Sequence, residues 1–536
     1  MTSIVLLLML GLACTPDPTQ PAAGDSAVAD DTAVVDETSL ESAPFLCAEP
    51  AAAVTFDEVG SAWGLVDTTD EEQSRKEANP IAVADLDGDG LDDIIVGQRA
   101  VGIWVQMNRG GELEAELISD VADVVGLALG DVDGDGTLDL WAGGYFSPMK
   151  LFLGDGDGGF TDASESSGLE DVSTSPQKTD AVFGDFDGDG DLDLYITRAS
   201  PSMGGDESVF DKLLRNDGDG GFEDVSHWID EDSRRGLGWS PIWTDIDLDG
   251  DLDLYVTNAD QSTMGPSRLL RNDGPGEDDS WVFTDLTDTC YCTDNHNPMG
   301  VSVGDWDNDG WFDIFLTNTG ANQLLDNMGD GTFVDVTAVV GSMVLESGEH
   351  MTFGSAWFDY NNDGWLDLFI SSGPLSDGNG PSGLDEQADI FLRGDGASFV
   401  DVAPDLGMDG RGAGRGVAVG MLNDDGFPDL VVNNLGSPAL LYLPQCTEDR
   451  ALVVDLSGHA PNTFGVGARV VVETDAGSLH REVMAKSGWG GAIHPRAHFG
   501  LGDRTVTGVT VFWPDGAVQQ IAVAGDVDGR ITVLAP

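Results

Sequence analysis

Seven times along the chain, at intervals of 46 to 62 residues, carboxylates recur at alternate positions of a nine-residue pattern, D-x-D-x-D-G-x-x-D, that runs straight into a short apolar stretch. The copies start at Asp85, Asp131, Asp185, Asp245, Asp305, Asp359 and, in degenerate form, Met421. In the third copy Asp185, Asp187 and Asp189 hold positions 1, 3 and 5, Asp191 offers its backbone carbonyl at 7, and Asp193 closes the set at 9. Such a set can wrap one hard cation in oxygen. Gly188 and Gly190, at positions 4 and 6, let the backbone turn tightly enough for the side chains to converge. Calcium suits the site best, because it accepts about six to eight oxygens in loose geometry whereas magnesium demands a near-ideal octahedron.

The ligands expected on this basis are Asp85, Asp87, Asp89 and Asp93; Asp131, Asp133, Asp135 and Asp139; Asp185, Asp187, Asp189 and Asp193; Asp245, Asp247, Asp249 and Asp253; Asp305, Asp307, Asp309 and Asp313; and Asp359, Asn361, Asp363 and Asp367. The seventh copy keeps only Asn423, Asp425 and Asp429, so about six calcium sites are expected and the seventh loop is expected to be weak or empty. An EF-hand would place a bidentate glutamate at position 12, where these loops carry Val96, Ala142, Ile196, Val256, Leu316 and Ile370. The arrangement is instead a loop feeding a strand. One Asp-Gly run is as readily a polar turn, but turn chemistry does not account for six near-identical copies. The runs at 155–158 and 217–220 lack the position-9 carboxylate and precede a phenylalanine, so they read as hairpin turns.

Each loop is followed by residues apolar on both faces, such as Leu194, Tyr195, Ile196 and Thr197, as in strands packed between neighbouring sheets. Further along, each unit carries a second marker, F-x-D-V or close to it, at Phe160, Phe222, Phe283, Phe333 and Phe399, with a poor copy near Leu113. Short regular strands, Gly-rich turns and hardly any helical periodicity predict an all-β fold. The seventh loop lacks a following marker, while an unmatched one at 56–59 precedes the first loop. The expectation is therefore a seven-bladed β-propeller closed by pairing 56–59 with the last blade near 430–443. On these loops the chain from about residue 50 to 445 resembles the FG-GAP or VCBS repeats of integrin alpha-type propellers. That resemblance implies calcium held on one rim, bracing the loop of each blade.

From Cys446 the Asp loops stop, and strands are expected at 452–456, 468–474, 479–484, 506–513, 518–523 and 531–534, making a second, small β domain. Gly465-Val466-Gly467-Ala468, Phe499-Gly500-Leu501-Gly502 and Val511-Phe512-Trp513-Pro514-Asp515-Gly516 resemble the ASPIC/UnbV domain, which follows such repeats in bacterial surface proteins and in the cartilage acidic protein family. Gly491 and Ala492 stand where that pattern has a Ser-Gln pair, and the resemblance implies no reaction. His494 and His498 are spaced as a metal pair on a helix face would be, but their segment reads as turn and strand, so a ligand role is not expected. His296 and His350 are read as filling inter-blade or channel positions.

Residues 1–14 hold an apolar run too short to span a bilayer and end in Gly11, Leu12, Ala13 and Cys14, which reads as a signal peptide of lipoprotein type with Cys14 lipidated. An ordinary secretory signal is the alternative. Residues 15–44 are rich in Asp, Thr, Ala and Pro and are expected to be a disordered acidic tether. With 23 Lys and Arg against 97 Asp and Glu, the net charge of −74 disfavours nucleic acid and anionic membrane surfaces as partners, leaving the membrane to a lipid anchor. Six calcium ions would offset roughly a sixth of that charge. Cys47, Cys290, Cys292 and Cys446 allow three pairings, of which Cys47 with Cys446 would staple the ends of the repeat array.

The chain thus divides into signal peptide 1–14, tether 15–44, propeller 45–445 and ASPIC/UnbV-like domain 446–536. No Ser-His-Asp order, P-loop, Rossmann glycine pattern or His-Glu zinc motif stands out. The expected function is that of an exported surface lipoprotein or secreted protein, non-enzymatic, binding a surface protein or glycan through inserts at 200–211, 274–280 and 373–387. A carbohydrate-active enzyme, a polysaccharide lyase or hydrolase, is the second reading, because a catalytic carboxylate pair could hide among so many.

Overall fold

The structure is a computed structural model and describes residues 42–45, 47, 50–66, 79–98, 102–121, 123–144, 147–169, 178–198, 210–259, 265–277, 280–293, 297–341, 351–374, 387–523 and 527–536. Cys14, nearly all of the tether, His296, His350 and most of the inserts at 200–211 and 373–387 lie outside the described residues.

Burial falls along each repeat in step with the apolar pattern. In the third repeat Asp193–Arg198 is buried throughout, Lys212–Asn216 alternates, and Phe222–Asp224 exposes two of its three residues. A strand apolar on both faces has to lie between neighbouring sheets, and one with a polar face belongs at the rim. Seven antiparallel four-stranded units result, and their first strands, from Ile81–Ala84 to Gly414–Gly420, stand side by side around a common axis. The Phe-type markers form the outermost strands, at Leu113–Ser119, Phe160–Asp162, Phe222–Asp224, Trp281–Asp285, Phe333–Asp335 and Phe399–Asp401. Aromatic side chains wedge the blades apart: Phe186 meets Trp228, Trp243, Trp281 and Phe283 with ring centroids 6.0, 6.2, 6.1 and 5.8 Å away.

The ring closes through the first strand. Phe56, Asp57 and Glu58 pair with Pro444, Leu443 and Tyr442, completing the blade that contains Asp429–Asn434. Asn433 Nδ2 donates to Pro80 O at 3.1 Å across the same seam. A disulfide joins Cys47 to Cys446 over a separation of 399 residues, and a second joins Cys290 to Cys292.

After Cys446 come two sheets facing each other over a shared apolar core that includes Leu452, Val470, Phe499 and Val511. One is built from Ala497–Gly502, Arg450–Ser457 and Gly529–Leu534, the other from Gly477–Glu482, Arg469–Thr474, Val506–Phe512 and Val518–Ala522. All six expected strands are present. A hairpin that the apolar pattern does not announce leaves these sheets: Gly491–Ile493 pairs parallel with Ile81–Ala84, and Lys486–Gly488 pairs with it in turn, making a six-stranded sheet of the first blade. The hairpin packs against the first strands of other blades and so fills the central channel. Its glycines follow from the space available, since a side chain on Gly491 would strike the carbonyl oxygen of Val417. Trp489 closes it, buried against Trp239, Phe353, Met299, Met351 and Val125. Lys486 Nζ, also buried, donates to Asp180 Oδ2 at 2.5 Å and to Ala181 O at 3.2 Å.

Candidate metal sites

Every loop has a left-handed residue at positions 4 and 6. The position-6 glycines run from Gly90 to Gly426, and position 4 is glycine in three loops but Leu248, Asn308, Asn362 and Asp424 in the others, all with φ between 52° and 58°. Leucine adopts that conformation at a cost of about 1 kcal/mol or more, so the loop geometry is imposed on it. The position-1 carboxylate organises the turn: Asp85 accepts the N–H groups of Gly88 at 2.7 Å and Gly90 at 2.9 Å, and Asp131 those of Gly134 at 2.8 Å and Gly136 at 2.9 Å.

Position 9 ties the loop to its blade. Asp193 Oδ2 accepts the N–H of Phe186 at 3.2 Å while Oδ1 accepts that of Asn216, on the third strand, at 2.9 Å. Asp93, Asp139, Asp253, Asp313 and Asp367 make the same two bonds.

In five loops the carboxylates at positions 1, 3 and 9 bring ligand atoms within 4.8 Å of one another: Asp85, Asp87 and Asp93; Asp131, Asp133 and Asp139; Asp185, Asp187 and Asp193; Asp245, Asp247 and Asp253; Asp305, Asp307 and Asp313. The position-5 residues Asp89, Asp135, Asp189, Asp249 and Asp309 stand outside these tight groups. Each has Oδ1 engaged by the N–H of residue 7 of its loop, at 2.9 to 3.0 Å. In the sixth loop Asp363 does likewise at 3.0 Å, and Asn361, in place of the second carboxylate, donates from Nδ2 to Asp363 Oδ2 at 2.9 Å.

Crowding of like charges away from water disfavours ionisation. Burial first, then the neighbouring carboxylates, pushes Asp93 up to about 7 and Asp139 up to about 8, and carries Asp193, Asp253 and Asp313 well above the usual carboxylate range. Buried Asp185 Oδ1 and Asp247 Oδ1 have no hydrogen-bond partner. A divalent cation among these oxygens would remove both penalties, and an all-oxygen anionic donor set fits a hard ion such as calcium or magnesium.

The loop end of the propeller lies under the C-terminal sheets. Thr463 Oγ1 donates to Asp131 Oδ2. The N–H of Asp85 donates to His494 Nδ1 at 3.3 Å, and that of Asp245 to Glu482 Oε1 at 3.0 Å. Arg504 Nη1 donates to Asp363 O, and the Arg481 guanidinium faces Asp305 and Asp359. His480, Arg481, Glu482 and His498 line a cavity of about 130 Å³ together with Asp305 and Asp359.

His498 Nε2 lies 3.2 Å from Gly426 O, and burial with nearby guanidinium groups holds both His494 and His498 below the usual histidine range, His498 at about 4. They stand on a turn and a strand and, among the described residues, join no metal-ligating cluster.

Sequence reasoning missed a set of asparagines at the end of the third strand. Asn216 Nδ2 donates to Val132 O in the preceding loop at 2.8 Å and to Leu192 O in its own at 3.1 Å. Asn108, Asn272 and Asn327 do the same, Asn108 bridging the first loop to the seventh through Leu422 O at 2.7 Å. The recurring R-N-D-G at 215–218 and 271–274 is the signal that could have found them.

Comparison with known proteins agrees with this organisation. The description FG-GAP-like repeat matches residues 85–142, 131–196, 245–316 and 305–370, and ASPIC and UnbV matches 458–533. Cartilage acidic protein 1 of Xenopus tropicalis is 26% identical over 487 residues, covering 77% of this chain and 73% of that protein. The Homo sapiens protein of the same name is 25% identical over 496 residues, covering 77% and 72%. A solved lectin structure from Agrocybe aegerita aligns with 70% of this chain and 88% of its own at 17% identity and a TM-score of 0.38, too low to bear on ligand or reaction. The chain carries FG-GAP-like repeats and an ASPIC and UnbV domain, and over 77% of its length it is similar to cartilage acidic protein 1.

Proposed function

We propose that the protein is a calcium-braced, non-enzymatic, exported propeller that binds a protein or glycan through the end of the ring away from its metal loops. The observation that carries this reading is the position of the C-terminal sheets, whose side chains engage the metal-loop end and whose hairpin fills the channel. Both usual seats of propeller chemistry, the channel and the loop end, are thereby occupied by the chain itself. The other end carries the connections between second and third strands, from which the inserts at 200–211 and 373–387 depart, and a cavity of about 450 Å³ lined by Glu58, Asp389, Gly412 and Asn434. Similarity to cartilage acidic protein 1 supports an extracellular setting. Among the described residues no helix is long and apolar enough to cross a membrane.

Calcium is the ion this reading assigns to the loops, since their looped, carboxylate-rich donor sets tolerate variation such as Asn361 that a rigid octahedral site would not. Screening the intact protein against arrays of extracellular proteins and glycans in millimolar calcium tests the reading. Binding without turnover, weakened by deleting 375–386 but not by substitutions beneath the C-terminal sheets, supports it. Release of cleaved products from acidic polysaccharides would replace it with the lyase or hydrolase alternative.

A further inference from the structure

The seventh loop has lost its first carboxylate, Met421 standing where the other six have aspartate. Its backbone is nonetheless that of the others, with Asp424 and Gly426 at φ 52° and 86°. A second departure lies directly across the seam. Position 8 is apolar in loops two to six, as Leu138, Leu192, Leu252, Phe312 and Leu366, but in loop one it is Asp92, fully buried. Asp92 Oδ2 accepts the N–H of Met421 at 2.6 Å, and the N–H of Asp92 donates to Met421 O at 3.0 Å. A carboxylate from the neighbouring blade thus stands against the backbone of Met421.

Its counter-charge comes from the C-terminal domain. Arg496 donates from Nη1 to Asp92 Oδ2 at 3.2 Å and brings Nη2 within 3.1 Å of Oδ1, while Asp455 lies 3.4 Å from its Nε. Arg530 adds a second guanidinium, 3.2 Å from Asp424 and 3.8 Å from Asp455.

We infer that the Arg496–Asp92 pair does for the junction of the seventh and first blades what a calcium ion does within each of the other six loops, so that the closing seam draws its cation from the chain. This rests on reading those six loops as calcium sites. A consequence is that Asp92 keeps its counter-charge at any calcium concentration, provided the C-terminal domain is docked.

Two measurements on the full-length protein test it. In loop seven Asp429 Oδ1 is buried without a hydrogen-bond partner, because Pro444, at the place of the donors Asn108 and Asn216, has no N–H. Calcium retained per chain after gel filtration, counted by atomic emission, should be the same for wild type and for Asp425→Asn with Asp429→Asn. Loss of one ion in that variant overturns the inference.

Melting in EDTA reads the pair apart from calcium. Arg496→Met and Asp92→Leu should each lower the midpoint, and the double variant should lower it by less than the sum of the two. Additive shifts in a wild type that does bind calcium overturn this inference alone. A wild type that binds none overturns the reading of the six loops as well.

Discussion

The third and seventh loops share a backbone and differ in the carboxylates at positions 1 and 3, where loop seven has Met421 and Asn423. Loop three carries five aspartates, 185, 187, 189, 191 and 193, and among the described residues no side chain beyond Cys446 hydrogen-bonds or ion-pairs with them. Loop seven keeps Asp424, Asp425 and Asp429, of which Asp424 lies beside Arg530 and Arg496. The sixth lies between these extremes, with Asn361 for one carboxylate and Arg481 and Arg504 close by. The lesson is that the turn survives loss of the position-1 carboxylate, whereas the position-9 aspartate is kept in all seven loops.

The largest test of that contrast is removal of metal. Each independent site filled at 100 times its Kd adds about 2.7 kcal/mol, so calcium should raise the melting midpoint of the intact protein strongly and EDTA should reverse it. Unchanged melting would break the comparison at its root. Asp193→Ala should remove one ion from loop three and most of that site's share of the shift.

Next in size is the anchor of the channel hairpin. Lys486→Met leaves Asp180 buried without its partner and should cost about 3–5 kcal/mol, with or without calcium, in chemical denaturation. A loss seen only in calcium would mean that the hairpin and the metal loops are one cooperative element rather than two.

The pH dependence sharpens the contrast further. Aspartates such as Asp93 and Asp139, raised from 3.8 to about 7 and about 8, hold more protons folded than unfolded between those values. Their contribution in EDTA is therefore fully present below about pH 4 and is lost as pH rises through about 7 to 8. The midpoint in EDTA should fall over that window, and saturating calcium should flatten the slope because the carboxylates then stay ionised. An equal slope in both conditions would show that no ion enters these groups.

The smallest effect expected is at the inter-blade asparagines. Asn216→Ala strips the side-chain donor from two buried carbonyls, Val132 O and Leu192 O, and should cost about 1–3 kcal/mol. The second blade has Gly154 at that place, so Gly154→Ala should not reproduce this loss by the same route; there a side chain would instead strike Leu138 O.

Sequence by itself determined the repeat, the loop-to-strand chemistry, the marker strands and the closure through 56–59, because each is written in spacings of a few residues that recur. Local periodicity also placed six of the seven strands of the C-terminal sheets and missed Ala497–Gly502. It said nothing of the hairpin at 486–493, whose glycines carry no apolar signal and whose strand Gly491–Ile493 pairs with Ile81–Ala84, some four hundred positions away in the chain. Nor did it connect Met421 with Asp92 or Arg496, since only closing the ring and docking the C-terminal sheets brings those three together. Which oxygens gather into a tight set, and which are diverted to backbone N–H groups as at Asp89, was likewise a matter of tertiary geometry. Short-range patterns encode what a residue's neighbours in sequence can satisfy; the charges and carbonyls that remain are satisfied by whatever the fold brings against them, and only the folded chain specifies that.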